Sequence, residues 1–164
     1  MVTDIVLEKI ELYLKKNIQN LIGDFLKKNN GYDGLICNIL TEFEEETSRY
    51  WDAKWTKENV HIEFKKGRSI WLDLVRYSEI LLKINDEVKE ETVTLFFIPN
   101  NTKTKIEKIV GMRTSNLIQK LRLTNSDAQF IINLSEKVPR SLNAQASLTV
   151  KDIQDIAYFV VNNE

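Results

Sequence analysis

The sequence has almost none of the side chains that build disulfides and structural zinc sites. Cys37 is its only cysteine and His61 its only histidine in 164 residues. A lone cysteine has no partner within its own chain, and structural zinc takes four ligands that are mostly cysteine and histidine. We therefore expect neither kind of cross-link, and a reducing cytoplasm is the expected location. Cys37 lies among apolar residues and is expected to be buried.

Long apolar runs are also missing. No run approaches the roughly 20 residues that cross a bilayer, and the opening MVTDIVLEKI carries charges too early for a secretory signal. Hydrophobic residues make up 43% of the chain and charged residues 29%, which is typical of a folded, soluble protein. We expect a cytoplasmic protein with no membrane partner, folded as one domain over residues 1–164.

An excess of one charge is absent as well, since the formal net charge is −1. This total argues against a nucleic-acid partner, but the charges are unevenly distributed. Residues 51–68 carry five basic and three acidic groups, and residues 101–122 carry six basic groups and one acidic group. Because local basic patches bind phosphates on proteins that are neutral overall, these two segments are candidate contacts with a polyanion.

The first fifty residues predict two helices. Apolar residues at three- and four-residue spacing predict a helix over residues 4–28 that packs in the core or in a dimer and ends before Gly31. Asp33 is a candidate cap for a second helix running to about Tyr50. Glu46 falls on the apolar stripe of that helix. It is either solvated through a one-turn offset or points into a functional site as an acidic ligand.

The segment WDAKWTKENVHIEFKK, residues 51–66, predicts a short strand, a turn over residues 56–59 and a second strand over residues 60–66. The second strand alternates apolar and polar residues with the two-residue period of a half-buried strand. Trp51 and Trp55 in the first strand more often belong to a core than to a platform for stacked bases.

The polar face of the second strand carries His61, Glu63 and Lys65. A carboxylate and an amine therefore lie side by side, with Asp52 ten intervening residues upstream of Glu63. The plain alternative for this face is a solvated surface with alternating charges. His61 is either an ordinary surface histidine or a base or phosphate contact.

The next residues predict a helix and a buried strand. After Gly67 a helix begins at Arg68 or the residue that follows, an acidic loop covers residues 85–91, and the apolar run VTLFFI from Val93 closes at Pro99. Such a run is typical of a strand that is buried on both faces. Strand, helix and strand in this order predict a parallel pair with a right-handed crossover. The expected fold is α/β, with a central mixed sheet flanked by helices.

The C-terminal third, residues 104–163, is predicted to be mainly helical. A basic helix covers residues 104–122 and is weakened by its one glycine, and residues 126–137 fit a helix or a strand. Thr149, with Asp152 three residues on, predicts a capping box that starts a final helix, which runs through Val161.

Asp52, Glu63 and Lys65 are suited to phosphodiester hydrolysis. Mg²⁺ prefers oxygen ligands and keeps several waters, so the two carboxylates, with the carbonyl of Phe64, are enough to bind it. The metal would acidify a water and offset charge on the leaving oxygen. Lys65 would stabilise the charge that develops at phosphorus or orient the water.

With Asp52, Glu63 and Lys65 in the pattern D-x10-E-F-K, residues 34–100 resemble the PD-(D/E)xK nuclease superfamily. Many type II restriction endonucleases and some recombination and repair nucleases belong to it, and SIWLDLVRYSEILL and VTLFFIP match its next helix and strand. The resemblance implies that Asp52 and Glu63 are metal ligands and that Lys65 is the catalytic lysine. It also implies that Glu46 is the further acidic ligand that some members carry on the preceding helix.

The resemblance implies an Mg²⁺-dependent endonuclease that cuts double-stranded DNA as a homodimer, with one site for each strand. A type II restriction endonuclease is the leading interpretation. One rival is a junction-resolving or repair nuclease of the same fold, which would cleave branched DNA without regard to sequence. The other is a non-catalytic DNA-binding or assembly domain, which would bind no Mg²⁺ at this face.

Six residues are candidate DNA contacts. One pair beside the motif would touch neighbouring phosphates, a second pair would approach the backbone from the start of the predicted basic helix, and a third pair would reach base edges. A solvated helix face is the plain alternative for the last two pairs. In that order the pairs are Lys66 and Arg68, Lys103 and Lys105, and Arg113 and Asn116.

Overall fold

The computed structural model describes residues 2–48, 50–87 and 92–164. The helices in these ranges are α1 (Asp4–Asn17), α2 (Asp33–Ile39), α3 (Leu74–Glu87), α4 (Thr114–Leu121), α5 (Asn125–Ser135) and α6 (Val150–Asp155). The strands are β1 (Phe43–Glu45), β2 (Ala53–Trp55), β3 (Val60–Lys66), β4 (Ile70–Asp73), β5 (Val93–Pro99), β6 (Ile106–Arg113), β7 (Gln145–Leu148) and β8 (Phe159–Asn162).

Six of the strands form a mixed sheet in the order β1-β2-β3-β5-β6-β8. Strands β3 and β5 run parallel, with Ile62 opposite Val93 and Lys66 opposite Phe97, and the other neighbours run antiparallel. Strands β4 and β7 form a separate two-stranded sheet. The predicted α/β fold with a mixed central sheet flanked by helices is confirmed, and so is the parallel pair.

Helices cover both faces of the sheet. On one face, Leu7 of α1 belongs to the same buried cluster as Phe64 of β3. On the other face, Tyr77 of α3 clusters with Phe96 of β5. Strand β5 is buried along its whole length, as its apolar run predicts, because it has an apolar layer on each side. The polar face of β3 is therefore the face that α3 covers.

The helix predicted over residues 4–28 is wrong beyond Asn17. The side-chain amide of Asn17 donates to the carbonyl of Tyr13 at 2.8 Å, and such side-chain bonds compete with helix continuation. Gly23 has a φ of 114°, which lies outside the helical region. The chain continues as short 3-10 turns, and these still bury the apolar residues of the predicted stripe.

The second predicted helix is wrong beyond Ile39. The next residues form edge strand β1, and Phe43 packs against Tyr13 with 5.6 Å between ring centroids. Asp33 is the first residue of α2 and not its cap. Backbone pairing of β1 with β2 outweighs the helical spacing of the apolar residues, so Glu46 follows a strand and does not lie on a helix.

Strand β4 precedes α3, where the sequence predicted helix from the start. Ile70 and Leu72 are buried while Trp71 between them is 62% exposed, which is the two-residue period of a strand. Helix α3 then extends to Glu87. The loop predicted over residues 85–91 is therefore wrong at its start, and residues 88–91 lie outside the described residues.

The C-terminal region is only partly helical, which corrects the prediction for residues 104–163. Strand β6 replaces the first half of the predicted basic helix and pairs with β5, and β8 replaces the end of the last helix and pairs with β6. A Cβ added at Gly111 would lie 2.2 Å from the ring of Phe159. The glycine that weakened the predicted helix therefore permits close contact between two strands.

Two smaller predictions concern the last helices. The capping box of Thr149 and Asp152 is confirmed at the start of α6. The segment that fits helix or strand equally forms α5, with its own capping box of Thr124 and Asp127. None of the helices in the described ranges has the length and apolarity that a bilayer span requires.

Candidate active site

Glu63 and Lys65 lie on the face of β3 that α3 covers. The side chain of Glu63 is 1% exposed, and its Oε1 lies 3.4 Å from Nζ of Lys65. The same ammonium lies 5.8 Å from the centre of the Tyr77 ring on α3, within cation–π range. The strand period thus brings a carboxylate and an ammonium together at a largely buried position.

Asp52 joins this pair from the residue before β2. Its backbone N–H donates to the carbonyl of Ile62 at 3.0 Å, and its Oδ2 accepts from the backbone N–H of Phe64 at 2.7 Å. Ile62 and Phe64 flank Glu63 on β3, so these bonds hold Asp52 beside Glu63. The hairpin of β2 and β3 closes the ten-residue interval between the two acids.

Arg76 lies between the two carboxylates, and the sequence analysis did not single it out. Its Nη2 is 2.8 Å from Oε2 of Glu63 and 3.7 Å from Oδ1 of Asp52. Arg76 precedes the buried Ile80 by one helical turn, so it projects from the inner side of α3. A charge on the apolar side of a helix needs a partner, and that position was the signal that could have identified it.

Burial dominates the protonation of the two acids. Burial, with the neighbouring charge of Asp52, raises the pKa of Glu63 to about 8, although Lys65 and Arg76 favour its charged form. Burial also raises the pKa of Asp52, against the hydrogen bond from Phe64. Burial lowers the pKa of Arg76, but the two carboxylates outweigh it and the pKa is raised. Both acids therefore hold their protons more tightly than exposed carboxyl groups do, even with two cations beside them.

The donor atoms of this site suit a divalent cation that keeps most of its water. Oε1 of Glu63 is buried and makes no hydrogen bond. It has an ion pair with the Lys65 ammonium at 3.4 Å, and this oxygen could also serve as a metal ligand. Within the described residues, no three His, Cys, Asp or Glu side chains are grouped to hold a metal. Asp52 and Glu63 would thus be the carboxylate ligands, which is sufficient for Mg²⁺. The guanidinium of Arg76 lies between the two carboxylates, so it would compete with such a metal for their charge.

The chain matches no protein-family model and no curated protein sequence. The predicted resemblance to PD-(D/E)xK nucleases therefore stays a prediction, and only residues and geometry bear on it. The residues are Asp52, Glu63 and Lys65, which lie close together, and the geometry is the order of β3, α3 and β5 around them.

Glu46, predicted as a third acidic ligand, binds a histidine. Its Oε1 lies 2.8 Å from Nδ1 of His61, and its backbone N–H donates to the carbonyl of Asp52 at 3.0 Å. The His61 ring stacks on Trp51, with 4.8 Å between centroids and 14° between planes. The backbone of Glu46 is therefore hydrogen-bonded to Asp52 of the site, while its carboxylate pairs with His61.

Trp51, Trp55 and Cys37 all pack in the interior. The two tryptophans are 7% and 2% exposed, and Nε1 of Trp55 donates to Glu42 at 3.2 Å. Burial raises the pKa of the Cys37 thiol to about 12, so it stays protonated and unreactive at neutral pH. These residues follow the plain interpretation of the sequence.

The six candidate DNA contacts do not share one surface. Lys66, Arg68 and Lys103 line a common pocket at the ends of β3 and β5, and Lys105 is exposed in the same loop as Lys103 without lining it. The remaining two lie elsewhere. Arg113 pairs with Asp4 at 2.5 Å, and Asn116 lies on α4 beside a different cavity.

A cleft of about 660 Å³ opens beside the acid pair. Lys65 and Arg76 line its inner side, and Arg140, from the segment between α5 and β7, lines it as well. Asp73 and Glu79 also contribute to its walls, so cationic and acidic groups are mixed. Arg140 is a candidate substrate contact that the sequence analysis did not single out.

Proposed function

We propose that this protein is a magnesium-dependent endonuclease that hydrolyses phosphodiester bonds in double-stranded DNA, of the type II restriction class. The observation that supports it best is the buried Glu63 with the half-buried Asp52 beside it and Lys65 3.4 Å from Glu63. Burying a carboxylate costs several kcal/mol. Strongly perturbed acids beside a cleft are typical of functional sites.

Each side chain has a role that follows from its position. Asp52 and Glu63 would hold Mg²⁺, which supplies an acidified water and a counter-charge for the phosphate. Lys65 would donate to the phosphate oxygen on which negative charge develops. Arg76, displaced from the carboxylates, would still face the cleft and pair with the same phosphate or its neighbour.

Cutting a duplex requires one active site for each strand. A symmetric homodimer supplies two, and we include it in the proposal for that reason. The oligomeric state can be measured by sedimentation equilibrium, with and without a DNA duplex. A protein that stays monomeric in both conditions would act on one strand at a time and would nick the duplex.

The deciding experiment is digestion of a large defined DNA in Mg²⁺ and in EDTA. Discrete bands support restriction, a smear supports a non-specific nuclease, and preferred cutting of a branched substrate supports a junction or repair role. Glu63→Gln and Lys65→Ala should each abolish cutting while the fold persists by circular dichroism. Glu44→Gln removes an exposed acid of β1 and serves as the matched control, which should cut normally.

A non-catalytic DNA-binding or assembly domain is the second candidate, and one observation favours it. Arg76 already neutralises Asp52 and Glu63 from within the chain, so the acids have a structural role without a metal. Calorimetric titration with Mg²⁺ separates the two functions. A nuclease should bind Mg²⁺ and lose that binding in Glu63→Gln, whereas a non-catalytic domain should bind no Mg²⁺.

A further inference from the structure

A pocket of about 370 Å³ lies at the C-terminal ends of the parallel strands β3 and β5. Lys66 and Arg68 line it from the end of β3, Lys103 from the loop between β5 and β6, and Lys28 from the segment before α2. Lys65 and Lys66 are consecutive, so their side chains leave opposite faces of β3 while their Cα atoms lie about 3.8 Å apart. The pocket and the candidate active site therefore lie at the same end of β3, on opposite faces of the sheet.

The pocket collects positive charge. Among the described residues that line it, four are cationic and none is acidic. Arg68 pairs with the carboxylate of Glu107 at 2.6 Å, and Glu107 does not line the pocket. Lys66 donates to a neutral group, the carbonyl of Leu26, at 3.1 Å. Burial and the charge of Lys103 lower the pKa of Lys66. Cations that repel one another in a pocket without an acid favour a bound anion.

The loop between β5 and β6 holds Lys103 in a defined position. The Asn100 side chain accepts from the N–H of Thr104 at 2.8 Å and donates to its Oγ1 at 2.8 Å, which closes the loop. Lys103 itself has a φ of 54°, a left-handed conformation that glycine and asparagine adopt more readily than lysine. Unfavourable backbone conformations of this kind concentrate at binding sites.

We propose that this pocket binds a backbone phosphate of the DNA substrate. The assignment of the anion to DNA rests on the proposed function, whereas the convergence of the cations does not. Lysine and arginine donors suit a phosphate, and Asn29 and Asn101 in the same lining add amide groups of the kind that contact DNA backbones. Contacts of this type set affinity and orientation and carry no sequence information.

The test compares a lysine of the pocket with one elsewhere. Lys103→Asn removes a charge from the pocket and places asparagine in a conformation that it tolerates, so the free energy of unfolding should not fall. Lys16→Asn makes the same change at an exposed lysine of α1 that does not line the pocket. Affinity for a short labelled duplex is measured by fluorescence anisotropy in EDTA over a range of salt concentrations.

We expect Lys103→Asn to bind more weakly and to reduce the slope of log K against log salt by about one, the value for one lost phosphate contact. Lys16→Asn should keep the slope of the unmodified protein. Equal losses in both variants, no loss in either, or no DNA binding by the unmodified protein would overturn the proposal.

Inorganic phosphate distinguishes DNA from a free anion as the ligand. Suppose that calorimetry detects phosphate binding, that Lys103→Asn abolishes it, and that the salt slope for DNA is unchanged. The pocket would then bind a free phosphate, which would overturn the proposal. Cleavage is not needed for these measurements. If Lys103→Asn lowers the salt slope but the unmodified protein never cuts DNA, the pocket binds a DNA phosphate and the nuclease proposal is wrong. If the unmodified protein cuts normally and Lys103→Asn leaves the slope unchanged, the nuclease proposal stands and the pocket proposal is wrong.

Discussion

Arg76 donates a hydrogen bond to Glu63 at 2.8 Å, across the contact between helix α3 and strand β3. Because the Glu63 side chain is 1% exposed, solvent contributes little to neutralising its charge. The arginine therefore supplies much of the counter-charge that allows a carboxylate to remain inside the fold. The same contact joins the packing of α3 to the candidate site, so we expect substitutions at the site to change the stability of the fold.

Replacing Arg76 by alanine should destabilise the protein strongly. The change leaves Glu63 without the guanidinium that hydrogen-bonds to it, and breaking a buried ion pair costs about 3 to 5 kcal/mol. Urea unfolding above pH 8 measures the loss. Arg68→Ala removes an exposed arginine that is also paired with a glutamate, and as a control it should cost no more than about 1 kcal/mol.

Glu63→Gln in the Arg76→Ala background should recover much of that stability. Glutamine removes the uncompensated charge, so the two changes should not add. Additive losses would mean that Arg76 stabilises the fold by packing its side chain and not by pairing with Glu63.

The stability of the metal-free protein should fall as the pH rises. The pKa of Glu63 is about 8 in the folded protein and 4.5 for an exposed glutamate, so the folded state binds more protons than the unfolded state between these two pH values. The free energy of unfolding then decreases with pH in this window, by up to about 1.4 kcal/mol per pH unit. Glu63→Gln should flatten the profile measured in urea, and an unchanged profile would assign the effect to other groups.

Arg76→Ala should bind Mg²⁺ more tightly than the unmodified protein. The guanidinium lies between the two carboxylates, so it competes with a metal for the same negative charge. We expect a gain of about tenfold, equal to roughly 1.4 kcal/mol, by calorimetric titration at pH 8. Weaker binding in the variant would show that Arg76 supports the metal site and does not compete with it.

Gly111→Ala should destabilise the sheet. The added methyl group would lie 2.2 Å from the Phe159 ring, and overpacking of this kind costs about 1 to 3 kcal/mol. Thermal unfolding measures the loss, and Phe159→Leu in the same chain should relieve part of it. In Gly34→Ala the new methyl group meets only the flexible end of Glu45. Because alanine favours helix, this control should be neutral or stabilising.

Sequence reasoning predicted the candidate site better than its surroundings. The alternation in β3 placed Glu63 and Lys65 on one face, because side-chain direction in a strand repeats every two residues. The partner that decides their electrostatics, Arg76, comes from a helix whose docking angle no local pattern contains. The same applies to Lys28, which reaches the pocket of Lys66 from a distant part of the chain.

The sequence by itself determined the features that depend on neighbouring residues. These are the bounds of β3, the buried run of β5 and the capping box at Thr149. Only the tertiary structure decided that β1, β6 and β8 are strands. Their backbone groups are satisfied by partners far along the chain, and burial beside those partners outweighs the local preference for helix.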